Sequence, residues 1–470
     1  MTDLCFLTAI ELADRIRRRE VSVTEVVRAH LAQIERVNPK VNAIVTLTAE
    51  RALDDARAKD AALARGVAAG PLFGLPVAHK DLVPTRGIRT TFGSPIYRDH
   101  VPDVDGLIIE RLRAAGAVTM GKTNTPEFGA GSQTFNDVFG RTLNPYDVSK
   151  TCGGSSGGAA VSLACGMVPI ADGSDTGGSL RNPAAFCNIV GFRTSPGRVP
   201  MWPREMAWSA LSVQGPMART VADVALMLSA IAGPDPRSPI AIAEPGDLFR
   251  RPLERNFRGV RVAWSRALGD LPIDRRVTTA LAGQRAVLEG LGCVVDDAEP
   301  DMRDAREVFQ VLRAFAFATR YGRLVVEQRH QIKDTVIWNT EQGLKLTARE
   351  MSEAEVKRTA LYHRVREFME RYEFLVLPTT QVPPFDVTQP YVTAIEGVEL
   401  PTYIDWMRTC SDITVTGLPA ISIPGGFTPE GLPVGLQIVG RHEHDWSVLQ
   451  LAHAVEQASG VGRRRPAVAA

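Results

Sequence analysis

No two of the six cysteines stand in a C-x-x-C pair, which argues against a zinc ribbon or a thioredoxin-type redox site. Six cysteines in 470 residues are also too sparse for a disulfide scaffold, so a reducing compartment is expected. The N-terminus shows no basic stretch followed by an apolar one, hence no secretory signal. No uninterrupted apolar run is long enough to span a bilayer. Neither charge sign is in excess: the net charge is +1, which gives no bulk attraction to nucleic acid or to an acidic membrane. Neither internal repeats nor low-complexity tracts occur. His442-Glu443-His444-Asp445 has the composition of a metal cluster but lacks a third ligand motif; it reads as a hydrated loop, and Arg463-Arg464-Arg465 reads as a solvated tail. These absences leave a cytoplasmic, soluble protein with no metal, no cofactor and no nucleic-acid partner.

What is present is an ordinary globular composition, 44% hydrophobic and 23% charged. At this length the chain could make about three average domains or one large one. Capping boxes at Thr8–Glu11 and Ser22–Glu25 open two helices, the second stopped by Asn38-Pro39. Residues 41–47 alternate as a strand, and Glu50 to Arg65 is an Ala-rich helix closed by Gly66. Helix-then-strand order follows at 107–120, 156–172, 276–296 and 357–377, and such alternation predicts an α/β fold around a buried sheet. Residues 300–372 are mostly helical in pattern. Two late strands, 420–424 and 434–439, are joined as in a hairpin, and a helix over 446–458 closes the chain.

The chain is organised around residues 150–193. Two turns rich in glycine and serine, Gly153–Gly158 and Gly173–Ser179, bracket a small-residue apolar run. Glycine permits positive φ and close backbone approach, and serine adds a hydroxyl that can donate, accept or attack. Together with Asp175 and Arg181, the paired turns suggest a reaction centre lined by backbone N–H groups. Gly153-Gly154-Ser155-Ser156-Gly157 fits the G-x-S-x-G elbow, yet no good strand precedes it and no histidine follows in a suitable place. Asp175-Thr176-Gly177 matches an aspartic-protease triplet, but only one such triplet is present. A P-loop ending is missing. Upstream, Lys80 sits in a short apolar run and reads from local sequence either as a snorkelling surface lysine or as a functional one. Gly121–Gly140 is turn-rich and, taken by itself, could be an irregular surface loop.

The ordered series G-G-S-S-G-G, D-G-S-D-T-G-G-S-L-R-N-P-A-A-F-C and V-G-F-R, with Pro76-Val77-Ala78-His79-Lys80-Asp81 upstream, resembles the amidase signature family of serine hydrolases. The likeness runs from about residue 8 to about residue 458 and is weakest over 235–370. It implies one domain over 1–470: a helical region to about 66, a core over 67–233, a less typical helical section over 235–372, and C-terminal strands and helix over 373–460. The implied fold is a large mixed sheet covered by helices on both faces. The resemblance further implies that Ser179 attacks an amide to form an acyl-enzyme, that Lys80 is the ultimate base, and that Ser155, after a cis peptide, relays the proton. It places the oxyanion hole at the N–H groups of Thr176, Gly177, Gly178 and Ser179, the acyl pocket beside Gly129 and Gly131, and Ser156 in support of the relay. Asp81 and Asp175 would raise the proton affinity of Lys80 if they touched it, so they are expected to point elsewhere, Asp175 to its own loop or Arg181. The implied substrate is a small-molecule carboxylic amide, with ester or carbamate side activity; homodimers are common in the family. Trp202, Trp338 and Trp406 are candidate pocket walls. Two other readings stand beside this one: the glutaminase subunit of a tRNA-dependent amidotransferase, disfavoured by Ser195-Pro196-Gly197-Arg198 where a Tyr-Gly stretch is expected, and a non-catalytic protein on the same fold.

Overall fold

A computed structural model of the chain describes residues 4–67 and 70–469; the extreme ends of the expected domain lie outside the described residues. Both capping boxes form, at the starts of α1 (Ala9–Arg17) and α2 (Val23–Val41). Asn38-Pro39 does not stop α2, contrary to the sequence reading. Pro39 lies in its last turn, and the helix ends only at Asn42, in the left-handed region at φ 51°. The Asn38 side-chain oxygen accepts from the N–H groups of Ala43 and Ile44, just beyond the helix. Helix α3 (Ala49–Ala64) follows the first strand.

Eleven strands make one mixed sheet: β1 (Ile44–Leu47), β2 (Pro76–Lys80), β3 (Val118–Thr123), β4 (Ile170–Asp175), β5 (Val190–Arg193), β6 (Val213–Ala218), β7 (Arg261–Trp264), β8 (Val294–Asp297), β9 (Phe374–Pro378), β10 (Ala420–Phe427) and β11 (Pro433–Gly440). Their spatial order is β1-β3-β2-β4-β6-β5-β10-β11-β9-β7-β8. Strands β3, β2 and β4 are parallel, as are β9, β7 and β8; the centre from β4 to β9 is antiparallel. The expected hairpin is the β10–β11 pair.

The helices are α4 (Leu107–Ala114), α5 (Gly157–Ala164), α6 (Arg181–Phe186), α7 (Val221–Ile231), α8 (Arg275–Leu281), α9 (Gln284–Gly290), α10 (Ala305–Gln328), α11 (Asp334–Leu344), α12 (Ala348–Arg371), α13 (Arg408–Val415) and α14 (Asp445–Ser459). Most of them pack into two large apolar cores, and a smaller third holds α11 against the C-terminal half of α10. Of the large ones, one joins α1, α2, α4, α5, α7 and α14 to the sheet, and the other joins α10, α12 and the 403–418 segment to β9 and β11. Every residue of β2, β9 and β11 is buried, as expected of strands covered on both sides. α5 is made of small residues because it packs deep: a Cβ on Gly158 would lie 2.3 Å from the Asn124 backbone nitrogen. Gly121 to Thr123 belong to β3 rather than to a loop. Lys122 is fully buried there, its amine donating to Val83 O at 2.5 Å and Thr85 Oγ1 at 2.7 Å. Asp445 also departs from the hydrated-loop reading: it is buried, accepting from Ser195 N at 2.7 Å and Arg198 Nε at 3.1 Å.

Candidate active site

Strands β2 and β4 are parallel neighbours, so their C-terminal ends, Lys80 and Asp175, emerge at one edge of the sheet. Open α/β sheets place ligands at that edge. Lys80 is not a snorkelling surface residue: it is 0% exposed. Its Nζ donates to Ser155 Oγ at 2.7 Å, Ser156 Oγ at 2.8 Å and Ser174 Oγ at 3.1 Å. Three hydroxyls thus match the three donors of an ammonium without neutralising its charge. Burial is the dominant influence and lowers the Lys80 pKa to about 7, against the opposing fields of Asp175 and Asp172.

Both nearby acids in the sequence point away, as expected. Asp81 accepts from the Thr91 N–H and hydroxyl. Asp175 accepts from Gly178 N at 2.8 Å and Leu180 N at 3.2 Å, and pairs with Arg181 at 3.0 Å and Arg193 at 3.4 Å. Burial opposes its ionisation, but the two guanidinium groups outweigh that and hold the carboxyl far below its ordinary range. Among the described residues no ion pair joins Asp175 to Lys80. Arg181 is fixed further by Gln437 Oε1 at 2.6 Å and Thr414 Oγ1 at 2.8 Å, so the carboxylate and its arginines form a rigid peg around which the 175–181 turn is wound.

The Gly154–Ser155 peptide is cis. Thr134 and Ser132 hold its turn through Gly153 O at 2.8 Å and Gly154 O at 2.6 Å. Ser156, just before α5, makes no side-chain cap, because its hydroxyl serves Lys80. Its N–H donates to Ser179 O at 3.2 Å, tying the two Gly/Ser turns together. Ser179 is half-buried and lines, with Ser155, Ser174, Thr176, Gly177, Gly129 and Gly131, a cavity of about 490 Å³. Gly178 departs from the expected oxyanion set: its N–H is committed to Asp175 and it does not line the cavity. The donors left to that wall are those of Thr176, Gly177 and Ser179.

Six aromatic side chains, Phe92, Tyr97, Phe128, Phe309, Phe317 and Tyr321, share the rest of the wall with aliphatic, polar and charged residues, Arg313 and Arg320 among them. None of the three candidate tryptophans lines it. Trp406 is core, stacked on Phe186; Trp202 lies under Arg237; Trp338 packs against Tyr403. Sequence reasoning missed Ser174 and the buried pair of Asp172 Oδ1 and His79 Nδ1, 2.6 Å apart, with Asp172 also accepting the Lys80 N–H at 3.2 Å. Asp172 and Ser174 are two residues apart on β4, hence on one face, a signal legible once β4 is drawn as a strand. No local signal announces that α10 covers the site.

The chain matches the Amidase family over residues 25–449. It is 34% identical to an acylamidase of Rhodococcus erythropolis over 468 residues, 99% of this chain and 98% of the relative. It is 37% identical to a glutamyl-tRNA(Gln) amidotransferase subunit of Moorella thermoacetica over 488 residues, 99% of each. Among solved structures it is similar to a bacterial aryl acylamidase (TM-score 0.92, 27% identity, covering 99% of this chain and 98% of that one). Similarity to the corresponding glutamyl-tRNA(Gln) amidotransferase subunit of Thermotoga maritima gives a TM-score of 0.77 at 27% identity, covering 97% and 96%.

Proposed function

The chain belongs to the amidase signature family, hydrolases that act on carbon–nitrogen bonds, and from that premise we propose that it hydrolyses a small-molecule amide through an acyl-enzyme on Ser179. The observation that carries this reading is a buried amine held by hydroxyls alone, beside the cavity that Ser179 faces. In its uncharged form Lys80 takes the Ser155 proton, and Ser155 takes that of Ser179, as the Ser179 oxygen bonds to the substrate carbonyl carbon. The N–H groups of Thr176, Gly177 and Ser179 receive the oxyanion; one such donor contributes about 3 kcal/mol in the transition state. Collapse breaks the C–N bond, the proton returns from Lys80 through Ser155 to the leaving nitrogen, and the amine departs. Water then cleaves the ester by the same relay in reverse, releasing the acid. Gly129 and Gly131 border the acyl group, and the aromatic wall suits an aryl or aliphatic substituent.

The second reading, a glutaminase that passes ammonia to a partner, has in its favour the identity to the amidotransferase relatives. The fold similarity runs the other way, 0.92 for the aryl acylamidase against 0.77 for the Thermotoga amidotransferase protein. We favour the stand-alone hydrolase, because the overall shape and the aromatic side chains on the cavity wall agree with it while the two identities differ by little. Turnover of an aliphatic amide, an anilide, a carbamate and glutamine by the purified chain tests it. Hydrolysis of the anilide or aliphatic amide, lost in Ser179→Ala, is the expected result. Glutaminase activity only with a co-purifying partner reverses the choice. A chain that turns over none of them, and whose Ser179 resists a fluorophosphonate, is non-catalytic.

A further inference from the structure

The cavity contains a cation that has no counter-ion among the described residues. Arg313 on α10 lines it and is 5% exposed. Its Nη2 donates to Tyr403 Oη at 2.7 Å, and the guanidinium lies 4.5 Å from the Phe317 ring centre. Nε has no acceptor, and among the described residues no carboxylate pairs with Arg313. Arg320, two turns further along α10 and half-buried, also lines the cavity and forms no ion pair among the described residues. The one carboxylate on the cavity wall, Glu205, is exposed and pairs with neither.

Elsewhere the buried guanidinium groups of Arg181, Arg193 and Arg198 each meet a buried carboxylate, as desolvated charges require. Aromatic faces offset part of the cost at Arg313, but they do not neutralise it. The position is also that of a substrate contact. Phe309, one turn earlier on α10, approaches within 2.7 Å of where a Cβ on Gly177 would stand. Arg313, the next turn of α10, lines the same cavity as Thr176, Gly177 and Ser179.

We infer that the substrate is an amide carrying a carboxylate, whose charge is met by Arg313 at the inner wall with Arg320 along its path. This rests on the amidase reading and adds the substrate class to it. A substrate carboxylate would give this guanidinium the charge-assisted partner that no carboxylate among the described residues provides.

The test compares glutaryl 4-nitroanilide, with the carboxylate on the acyl side, and N-pentanoyl-4-aminobenzoate, with it on the amine side, against neutral pentanoyl 4-nitroanilide and pentanoylanilide. In the wild-type protein one of the carboxylates exceeds its neutral counterpart in kcat/KM by about tenfold or more, the range of a charge-assisted bond, and which one identifies the side that Arg313 reads. In Arg313→Met that ratio collapses toward one, while Arg313→Lys restores part of it. As an arm that needs no variant, glutarate slows fluorophosphonate labelling of wild-type Ser179 more than butanol does. Neutral substrates preferred on both sides, no protection by glutarate, or an unchanged ratio in Arg313→Met overturns the inference while leaving the amidase reading intact. Absence of all hydrolysis and of Ser179 labelling fails the underlying reading, and this inference with it.

Discussion

The proton affinity of Lys80 supplies the sharpest prediction. Burial lowers its pKa from the ordinary 10.5 to about 7, which corresponds to about 5 kcal/mol against protonating the amine inside the fold. An unperturbed lysine would be uncharged in about 0.3% of molecules at pH 8, whereas the buried one is uncharged in about 90%. Because the base must be uncharged, kcat/KM for an anilide is expected to rise with pH, with a midpoint near 7 and a plateau above about 8. The same shift links to stability. The folded pKa lies below the unfolded one, so between about pH 7 and 10.5 the unfolded chain binds the extra proton and stability rises with pH; it is lost as pH falls toward 7. Asp172 opposes the shift, since its charge raises the lysine's affinity. Asp172→Asn should therefore move the rate midpoint below that of the wild-type protein. The assay is initial-rate kinetics at low substrate from pH 5 to 10, with Ser179 labelling as a check that the site is intact. A flat profile, a midpoint near 10, or an upward move in Asp172→Asn would refute the reasoning.

Three other perturbations read the same site. Ser156→Ala removes the 2.8 Å acceptor of Lys80 and should lower kcat about 10- to 100-fold with KM little changed; an equal rise in KM would show that Ser156 acts on binding instead. Gly178 has φ +114°, and a Cβ there would lie 2.6 Å from both Cys410 Cβ and Asn182 Nδ2, so Gly178→Ala should cost about 2 to 4 kcal/mol in urea unfolding. Asp175→Asn leaves Arg181 and Arg193 buried without their carboxylate and should destabilise by about 3 to 5 kcal/mol. In the wild-type protein, because the Asp175 pKa is held below its ordinary value, that contribution is present above about pH 4 and lost as pH falls, which acid titration of the unfolding midpoint would show.

Much of the local architecture can be read without coordinates. Capping boxes announced α1 and α2, and the alternation of helix and strand announced a covered sheet. These are properties of a few neighbouring residues, so a linear string carries them. The Asn38-Pro39 misreading shows the limit: a proline in a last turn removes one hydrogen bond, to the carbonyl four residues back, and the helix can still run on for the two residues after it. Lys80, Ser155 and Ser179 are singled out by the resemblance that the ordered motifs carry, whereas the local sequence around Lys80 leaves a surface lysine equally open. What only the tertiary structure decided is which groups face which. Whether Lys80 surfaces or is buried, whether the Gly178 N–H serves the cavity or Asp175, and whether Arg313 meets a carboxylate all depend on strands and helices brought together from distant parts of the chain. Burial and charge pairing are properties of a residue's surroundings in space, and those surroundings are set by the packing of β2 beside β4 and of α10 along the cavity.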